Sequence, residues 1–144
     1  MLISSLVDRG ATPALVRTAV FNQARLNMIA ENIANYGTPG YRAKQLDVRG
    51  FQRALRDALD ARGHDVNKPF VVAHGDEVET DDAGSLRVTP SEVPVENILF
   101  HDGTNVSIER QMSELAKTGM SQDMVVTLLR GRVDGTIKAI RGRL

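Results

Sequence analysis

Cysteine is absent from the 144 residues, which excludes disulfides, thiolate nucleophiles and cysteine-ligated metals and leaves the redox compartment unmarked. Tryptophan is absent as well, and aromatic residues make up only 4% of the chain. Aliphatic seams between helices are therefore expected rather than a thick core built on large rings. Neither sign of charge is in excess, because 18 basic residues balance 18 acidic ones. No global field steers such a chain to nucleic acid or to an anionic membrane, so its partners are expected to be recognised by shape. Long apolar runs are also missing, and nothing approaches the length of a membrane span. The opening Met1-Leu2-Ile3-Ser4-Ser5-Leu6-Val7 is too short and too interrupted for a signal core, lacks a basic lead and runs into Asp8-Arg9. The reading is of a protein that stays in the cytoplasm or leaves it by a route without a cleaved signal peptide.

What is present has ordinary single-domain proportions, 42% hydrophobic and 25% charged. The most informative stretch is Glu31-Asn32-Ile33-Ala34-Asn35-Tyr36-Gly37-Thr38-Pro39-Gly40-Tyr41, where a helical pattern meets a hard stop. Gly37 is expected to close the helix in the left-handed conformation, and Pro39 keeps Thr38 out of the α region. Thr38-Pro39-Gly40-Tyr41 fits a type II turn, with Pro at the second position and Gly supplying positive φ at the third. Asn32 and Asn35 share a helical face, and each amide both donates and accepts. They are expected to bond the turn backbone or a neighbouring helix.

The chain divides into five parts. Residues 1–11 form an arm, flexible or ordered by a partner, that ends near Gly10. Residues 12–36 form a helix opened by Thr12 as cap and Pro13 at the first helical position. Its seam is Leu15, Ala19, Asn22, Leu26, Ile29 and Ile33, spaced by four and three in alternation as in a coiled coil. Residues 37–62 hold the turn, a short extended segment around Leu46 and Val48, and a second helix from about 50 to 62 with Phe51, Leu55, Ala58 and Leu59 on one face and Gly63 as its stop.

Residues 63–104 read as a variable insert, irregular or with small hairpins and loosely packed. Short β-like runs occur at Phe70-Val71-Val72-Ala73, Leu86-Arg87-Val88-Thr89 and Ile98-Leu99-Phe100. The acidic residues Asp76, Glu77, Glu79, Asp81 and Asp82 read as a solvated loop, because they lack the ligand spacing of a calcium loop. From 105 to 144 a long helix carries the seam Ile108, Met112, Leu115, Gly119, Gln122, Val126, Leu129, Val133, Thr136 and Ile140. Gly119, Gly131 and Gly135 interrupt it, each less favourable than Ala by about 1 kcal/mol in an exposed helix. Both terminal segments are therefore expected to be partly disordered in the monomer and to order on assembly. The fold class that follows is mainly α. The N- and C-terminal helices pair as an elongated antiparallel coiled-coil-like hairpin, with a short middle helix and a small irregular or β-containing insert. The longer stripe outruns the shorter, which leaves a contact surface.

Catalytic and ligand-binding signatures do not emerge. His64, His74 and His101 stand without metal-ligand spacing to one another or to a suitable Glu. No nucleophile elbow, phosphate-binding loop or zinc signature occurs. Arg130, Arg132, Lys138, Arg141 and Arg143 make the carboxyl end basic, which suits a helix dipole better than nucleic acid, since no aromatic stacking platform accompanies them. No enzyme activity, cofactor, metal, nucleic acid or small-molecule substrate is expected.

Two groups of residues carry a family resemblance. Asn32-Ile33-Ala34-Asn35 followed by Thr38-Pro39-Gly40-Tyr41-Arg42 resembles the amino-terminal signature of bacterial flagellar rod and hook axial proteins. Asp102-Gly103-Thr104-Asn105-Val106 leading into Glu109-Arg110-Gln111-Met112-Ser113-Glu114-Leu115-Ala116-Lys117, with the ending Ala139-Ile140-Arg141-Gly142, is most similar to the basal-body rod members. Glu31 departs from the usual Asn there, and Gly119 and Gly131 stand where bulkier residues are common.

The resemblance implies a structural component of the flagellar basal-body rod, polymerising into the shaft that transmits motor torque for motility. It implies terminal helices in a coaxial inner layer, and partners among other rod proteins, copies of the same chain, basal-body ring or rod-base proteins and the export apparatus. It also implies a periplasmic location reached by type III export without signal cleavage. Another proximal rod protein of the same family is the nearest alternative. A cytoplasmic helical adaptor or dimerisation module is the alternative from a different class.

Overall fold

A computed structural model of the chain describes residues 10–63, 65, 68–81, 84–92 and 108–142. Its elements in order are α1 (Thr12–Ala34), β1 (Lys44–Gln45), α2 (Val48–Arg62), β2 (Val78–Thr80), β3 (Leu86–Val88), β4 (Ser91–Glu92) and α3 (Ile108–Ile140). The chain is mainly helical with two small antiparallel strand pairs. β1 pairs with β4, Lys44 opposite Glu92, and β2 pairs with β3, Val78 opposite Val88. Residues 1–9 of the expected arm, the run Ile98–Phe100, and His64 and His101 lie outside the described residues.

The helix ends have local causes that differ in part from the sequence reading. Ala11, not Thr12, occupies the N-terminal cap of α1, with no side-chain bond to the free amides. Thr12 is already helical and buried, and Pro13 follows inside the first turn. At the other end α1 stops at Ala34, before Gly37. Tyr36 N–H bonds the Ile33 carbonyl at 3.3 Å, Thr38 N–H bonds the Asn35 carbonyl at 2.9 Å, and Gly37 does not take positive φ. The left-handed residue is Gly40, at φ 77°. With Tyr41 N–H bonded to the Thr38 carbonyl at 3.2 Å, it forms the turn expected at Thr38–Tyr41.

α2 is closed at both ends by its own sequence. Asp47 Oδ1 accepts from Gly50 N–H at 2.9 Å. Gly63, at φ 55°, donates its N–H to the Leu59 carbonyl at 2.9 Å. The helix opens two residues earlier than the apolar spacing suggests, so Val48 belongs to its first turn and the extended segment shrinks to Lys44–Gln45.

The core lies on one side of α1. Phe21 of α1 and Phe51 of α2 stack with ring centroids 4.0 Å apart and planes 1° from parallel. Around them are buried Met28, Ile29, Leu46, Ala58, Phe70, Val72, Val78 and Leu86, with Ile33, Val48, Leu55 and Leu115 partly buried against them. Four of these residues belong to the insert, which is therefore well packed rather than loose. Arg62 closes that end, its guanidinium 5.9 Å from the Phe70 ring centre.

Phe70–Ala73 runs extended but forms no regular ladder. The Thr80 hydroxyl instead donates to the Val72 carbonyl at 2.8 Å and accepts from Val72 N–H at 3.0 Å. Val78–Thr80, inside the acidic run, is a strand rather than a solvated loop. Alternation of Val78 and Thr80 with exposed Glu79 was outweighed in the sequence by the density of charge.

α3 packs along α1. Arg25 is ion-paired with Glu114, Asn22 Nδ2 donates to Ser121 Oγ at 3.0 Å, and Gly10 lies against Arg132. Residue numbers fall along one helix as they rise along the other, so the two run antiparallel. Both helices are continuous over their described residues.

Phe21→Ala is expected to lower unfolding stability by about 3–5 kcal/mol, since it empties the most buried aromatic site and ends the stack. Urea unfolding followed by circular dichroism measures it. The double variant with Phe51→Ala is expected to lose less than the sum of the two single losses.

Candidate functional site

The motif turn is held by one buried side chain. Asn32 is 4% exposed and sits in the last turn of α1, where its amide faces β1. Its Nδ2 donates to the Lys44 carbonyl at 2.8 Å, and its Oδ1 accepts from Lys44 N–H at 2.9 Å. The same Oδ1 accepts from the Tyr41 hydroxyl at 3.0 Å. The amide thus acts as a strand backbone would, satisfying both polar groups of Lys44 on the edge of β1 that β4 leaves open.

Asn35 has a smaller part. Its Nδ2 bonds the Glu31 carbonyl at 2.9 Å within its own helix, and Thr38 Oγ1 lies 3.5 Å from its Oδ1, a weak contact. The two Asn are on one face as expected, but only Asn32 reaches across the turn.

Around this joint the charges are paired. Lys44 Nζ meets Glu31 Oε1 at 2.6 Å, and Arg42 Nη1 meets Glu92 Oε2 at 3.2 Å. The Glu31 hydrogen bond raises the Lys44 pKa, and burial with the neighbouring Glu31 charge raises that of Tyr41. Glu31 is thus the counter-charge of Lys44. Ile33 packs against the core, whereas Ala34, Thr38, Pro39 and Gly40 are exposed. The turn itself is surface.

A second polar joint ties α2 to the insert and shows that one of the histidines is not a bystander. His74 Nε2 lies 3.0 Å from Asp47 Oδ2. Glu77 Oε2 accepts from Asp47 N–H at 2.8 Å, and Glu77 Oε1 accepts from Ser91 Oγ at 2.5 Å. The Gly50 amide, then the His74 ring, hold the Asp47 carboxyl below its ordinary value, with the Arg53 charge adding to the effect. An open groove of about 470 Å³ runs beside this joint along α2, lined by Gly50, Ala54, Ala58 and Ala61 with Val71 and His74. Among the described residues no three His, Asp or Glu converge as a metal cluster would require.

The expected packing positions fall into three groups. Ile29 is buried in the main core. Leu15, Leu26, Ile108, Leu115, Val126 and Leu129 are half-buried, while Met112, Val133 and Ile140 are exposed, Ile140 at 71%. Those last three therefore do not serve as intrachain packing residues.

The most buried positions of α3 are Thr118 and Val125. Phe21 and Met28 on the far face of α1 also lie off the expected seam. They were readable as a second apolar stripe, but one strong stripe masked the other. Gly119, Gly131 and Gly135 have nothing within 4 Å of where a Cβ would stand, so among the described residues no close helix approach requires them. No helix among the described residues is long and apolar enough to cross a membrane.

The family described as flagella basal body rod protein matches residues 16–42, the span from the first turns of α1 through the motif turn. The chain is similar to the flagellar basal body rod protein FlgB of Escherichia coli K12, 25% identical over 124 residues, covering 81% of this chain and 83% of that protein. It is similar to FlgB of Cereibacter sphaeroides, 27% identical over 128 residues and covering 85% and 88%. It is also similar to FlgB of Aeromonas hydrophila, 24% identical over 122 residues and covering 82% and 83%. Together these likenesses support a structural rod component of the flagellar basal body.

Asn32→Leu leaves the Lys44 backbone unpartnered and is expected to destabilise the chain by about 2–4 kcal/mol, measured by chemical unfolding. Asn32→Asp keeps the acceptor but sets a buried carboxylate oxygen against the Lys44 carbonyl, so it is expected to lose at least as much at neutral pH. For Asp47 the pH dependence has a definite sign. Its pKa is lowered on folding, so its contribution is complete above the unfolded value near 3.8 and fades as pH falls through the lower folded value. The gap in thermal midpoint between the parent chain and Asp47→Asn is expected to be largest above about pH 4 and to shrink at lower pH.

Proposed function

We propose that this chain polymerises, with copies of itself and other rod proteins, into the shaft that carries motor torque through the flagellar basal body. The observation that carries the reading is apolar surface exposed along α3 among the described residues. At about 1.5 Å per residue α3 is roughly 50 Å long and α1 roughly 34 Å, so α3 continues past the start of α1. Its seam goes on beyond Arg132 with Val133, Ile137 and Ile140, all exposed. A second exposed set, Met112, Met120, Met124 and Leu128, lies on α3 away from α1, with Met124 at 68%. Uncovered apolar area of this extent suits burial against neighbouring subunits.

In this reading α1 and α3 form an elongated coiled-coil-like hairpin in the axial core, at residues 12–36 and 105–144, preceded by the arm 1–11. The segment 37–62 turns the chain out of the core, and the insert 63–104 faces away from the axis. The motif residues Asn32, Ile33, Ala34, Asn35, Thr38, Pro39, Gly40 and Tyr41 set where the inner helix ends, so that many copies stack in one register. The rod would lie in the periplasm, reached through the flagellar export apparatus without a cleaved signal, and would meet ring or rod-base proteins at its inner end. The work is mechanical, with no turnover.

The deciding experiment is deletion of the gene followed by isolation of basal bodies. Loss of rods and of swimming, restored by the intact gene, is expected. Complete rods and normal swimming would overturn the reading and favour a cytoplasmic helical adaptor. Pro39→Ala with Gly40→Ala is expected to reduce swimming and rod yield several-fold while leaving the monomer soluble. Loss of solubility alone would make the turn a folding element only.

A further inference from the structure

The seam between α1 and α3 is polar in its middle, where a seam built only for adhesion would be apolar. Asn22 is buried and donates to Ser121 Oγ. Thr118 is 1% exposed, and its Oγ1 has no hydrogen-bond partner. Gln111 Oε1 and Gln122 Oε1 are buried and likewise unpartnered. Positions 111, 118 and 122 recur at seven and four, on the face of α3 that also carries Leu115, Val125 and Leu129. Buried polar atoms left without partners lower stability, whereas apolar groups of similar shape in their place would not. Adhesion therefore does not account for this layer.

Register does. Two stripes with a heptad period can slide by seven residues and still bury apolar against apolar. In the observed register Asn22 meets Ser121 and Arg25 meets Glu114. A slip by one heptad in one direction sets the buried Asn22 amide against Leu128 and parts Arg25 from Glu114. A slip in the other direction sets Asn22 against Glu114 itself.

Little else in α3 resists such a slip. Among the described residues Leu115 is the only apolar side chain of α3 packed against the main core cluster. We infer that Asn22, Thr118, Ser121 and Gln122 form a register-setting polar layer, which fixes how much of α3 projects beyond α1 at the expense of the pair's own stability. The projecting end is the part that bears Val133, Ile137 and Ile140. The layer acts inside one chain, so its test does not depend on the rod reading.

The absence of cysteine makes the test direct. Spin labels are placed on cysteines introduced at the exposed positions Gln23 and Thr127 of the full chain, in the parent and in Asn22→Leu with Thr118→Val and Gln122→Leu. The parent is expected to give one narrow inter-label distance. The apolar variant is expected to add a second population, displaced along the axis by about 10 Å, one heptad of rise, together with a thermal midpoint higher by about 3 °C or more. A single unchanged distance in the apolar variant would overturn the proposal, because the register would then be set elsewhere. So would a lowered midpoint, because the polar groups would then be stabilising the pair. Thr118→Val alone guards against misfolding of the triple variant: a raised midpoint supports the layer, and a lowered one overturns it.

Discussion

Asn32 presents one buried amide to three partners, and much of the chain depends on where that amide sits. A helix cannot hydrogen-bond laterally to a strand through its backbone, because its own amides and carbonyls are used along its axis. The end of α1 nevertheless has to be fixed beside β1, where Asn32 is buried. The Asn32 side chain supplies one donor and one acceptor at the spacing of a strand backbone and closes both groups of Lys44. Tyr41, on the far side of the turn, bonds the same oxygen. The turn is thus pinned by what lies before and after it, while its tip at Pro39 and Gly40 remains free at the surface.

From this joint the fold divides along α1, which buries two different faces. One takes the ring of Phe21, stacked on Phe51, and with Met28 forms the floor of a core completed by α2 and the insert. The other takes α3, through half-buried aliphatic residues and a polar middle. The first face is rich in large side chains, while the second has three buried unpartnered side-chain oxygens, those of Gln111, Thr118 and Gln122. Stability is concentrated on the first face, and orientation on the second. In the proposed rod such a division would let the body persist while the long helix keeps a defined projecting length.

The projecting length is where structure meets function. Among the described residues the last turns of α3 and its methionine-bearing outer face are exposed, in a chain whose net charge is zero and whose long-range electrostatics are correspondingly weak. Association then depends on fitted apolar surface. The exposed methionines suit that purpose, since their unbranched side chains adapt to irregular neighbours. Among the described residues nothing lies within 4 Å of where a Cβ would stand on the glycines of α3.

Much was determined by the sequence alone. The three helices, the type II turn at Thr38–Tyr41 and the Gly63 stop are local or nearly so. Each follows from backbone preferences of Pro and Gly or from apolar spacing, and each survives in the structure with ends shifted by a few residues. The motif that carries the family likeness was legible for the same reason, being contiguous.

Other features were decided only by tertiary structure. Phe21 and Met28 lie off the heptad seam, and their burial depends on α2 arriving from another part of the chain. Val78–Thr80 reads as charge until β3 pairs with it, and Thr80 replaces a missing ladder with its hydroxyl. His74 is a lone histidine in sequence and a partner of Asp47 in space. The choice of Asn32 over Asn35, and the burial of Thr118, depend on which backbone lies opposite. Hydrogen bonds between distant segments are set by that placement, and residue spacing along one chain carries no record of it.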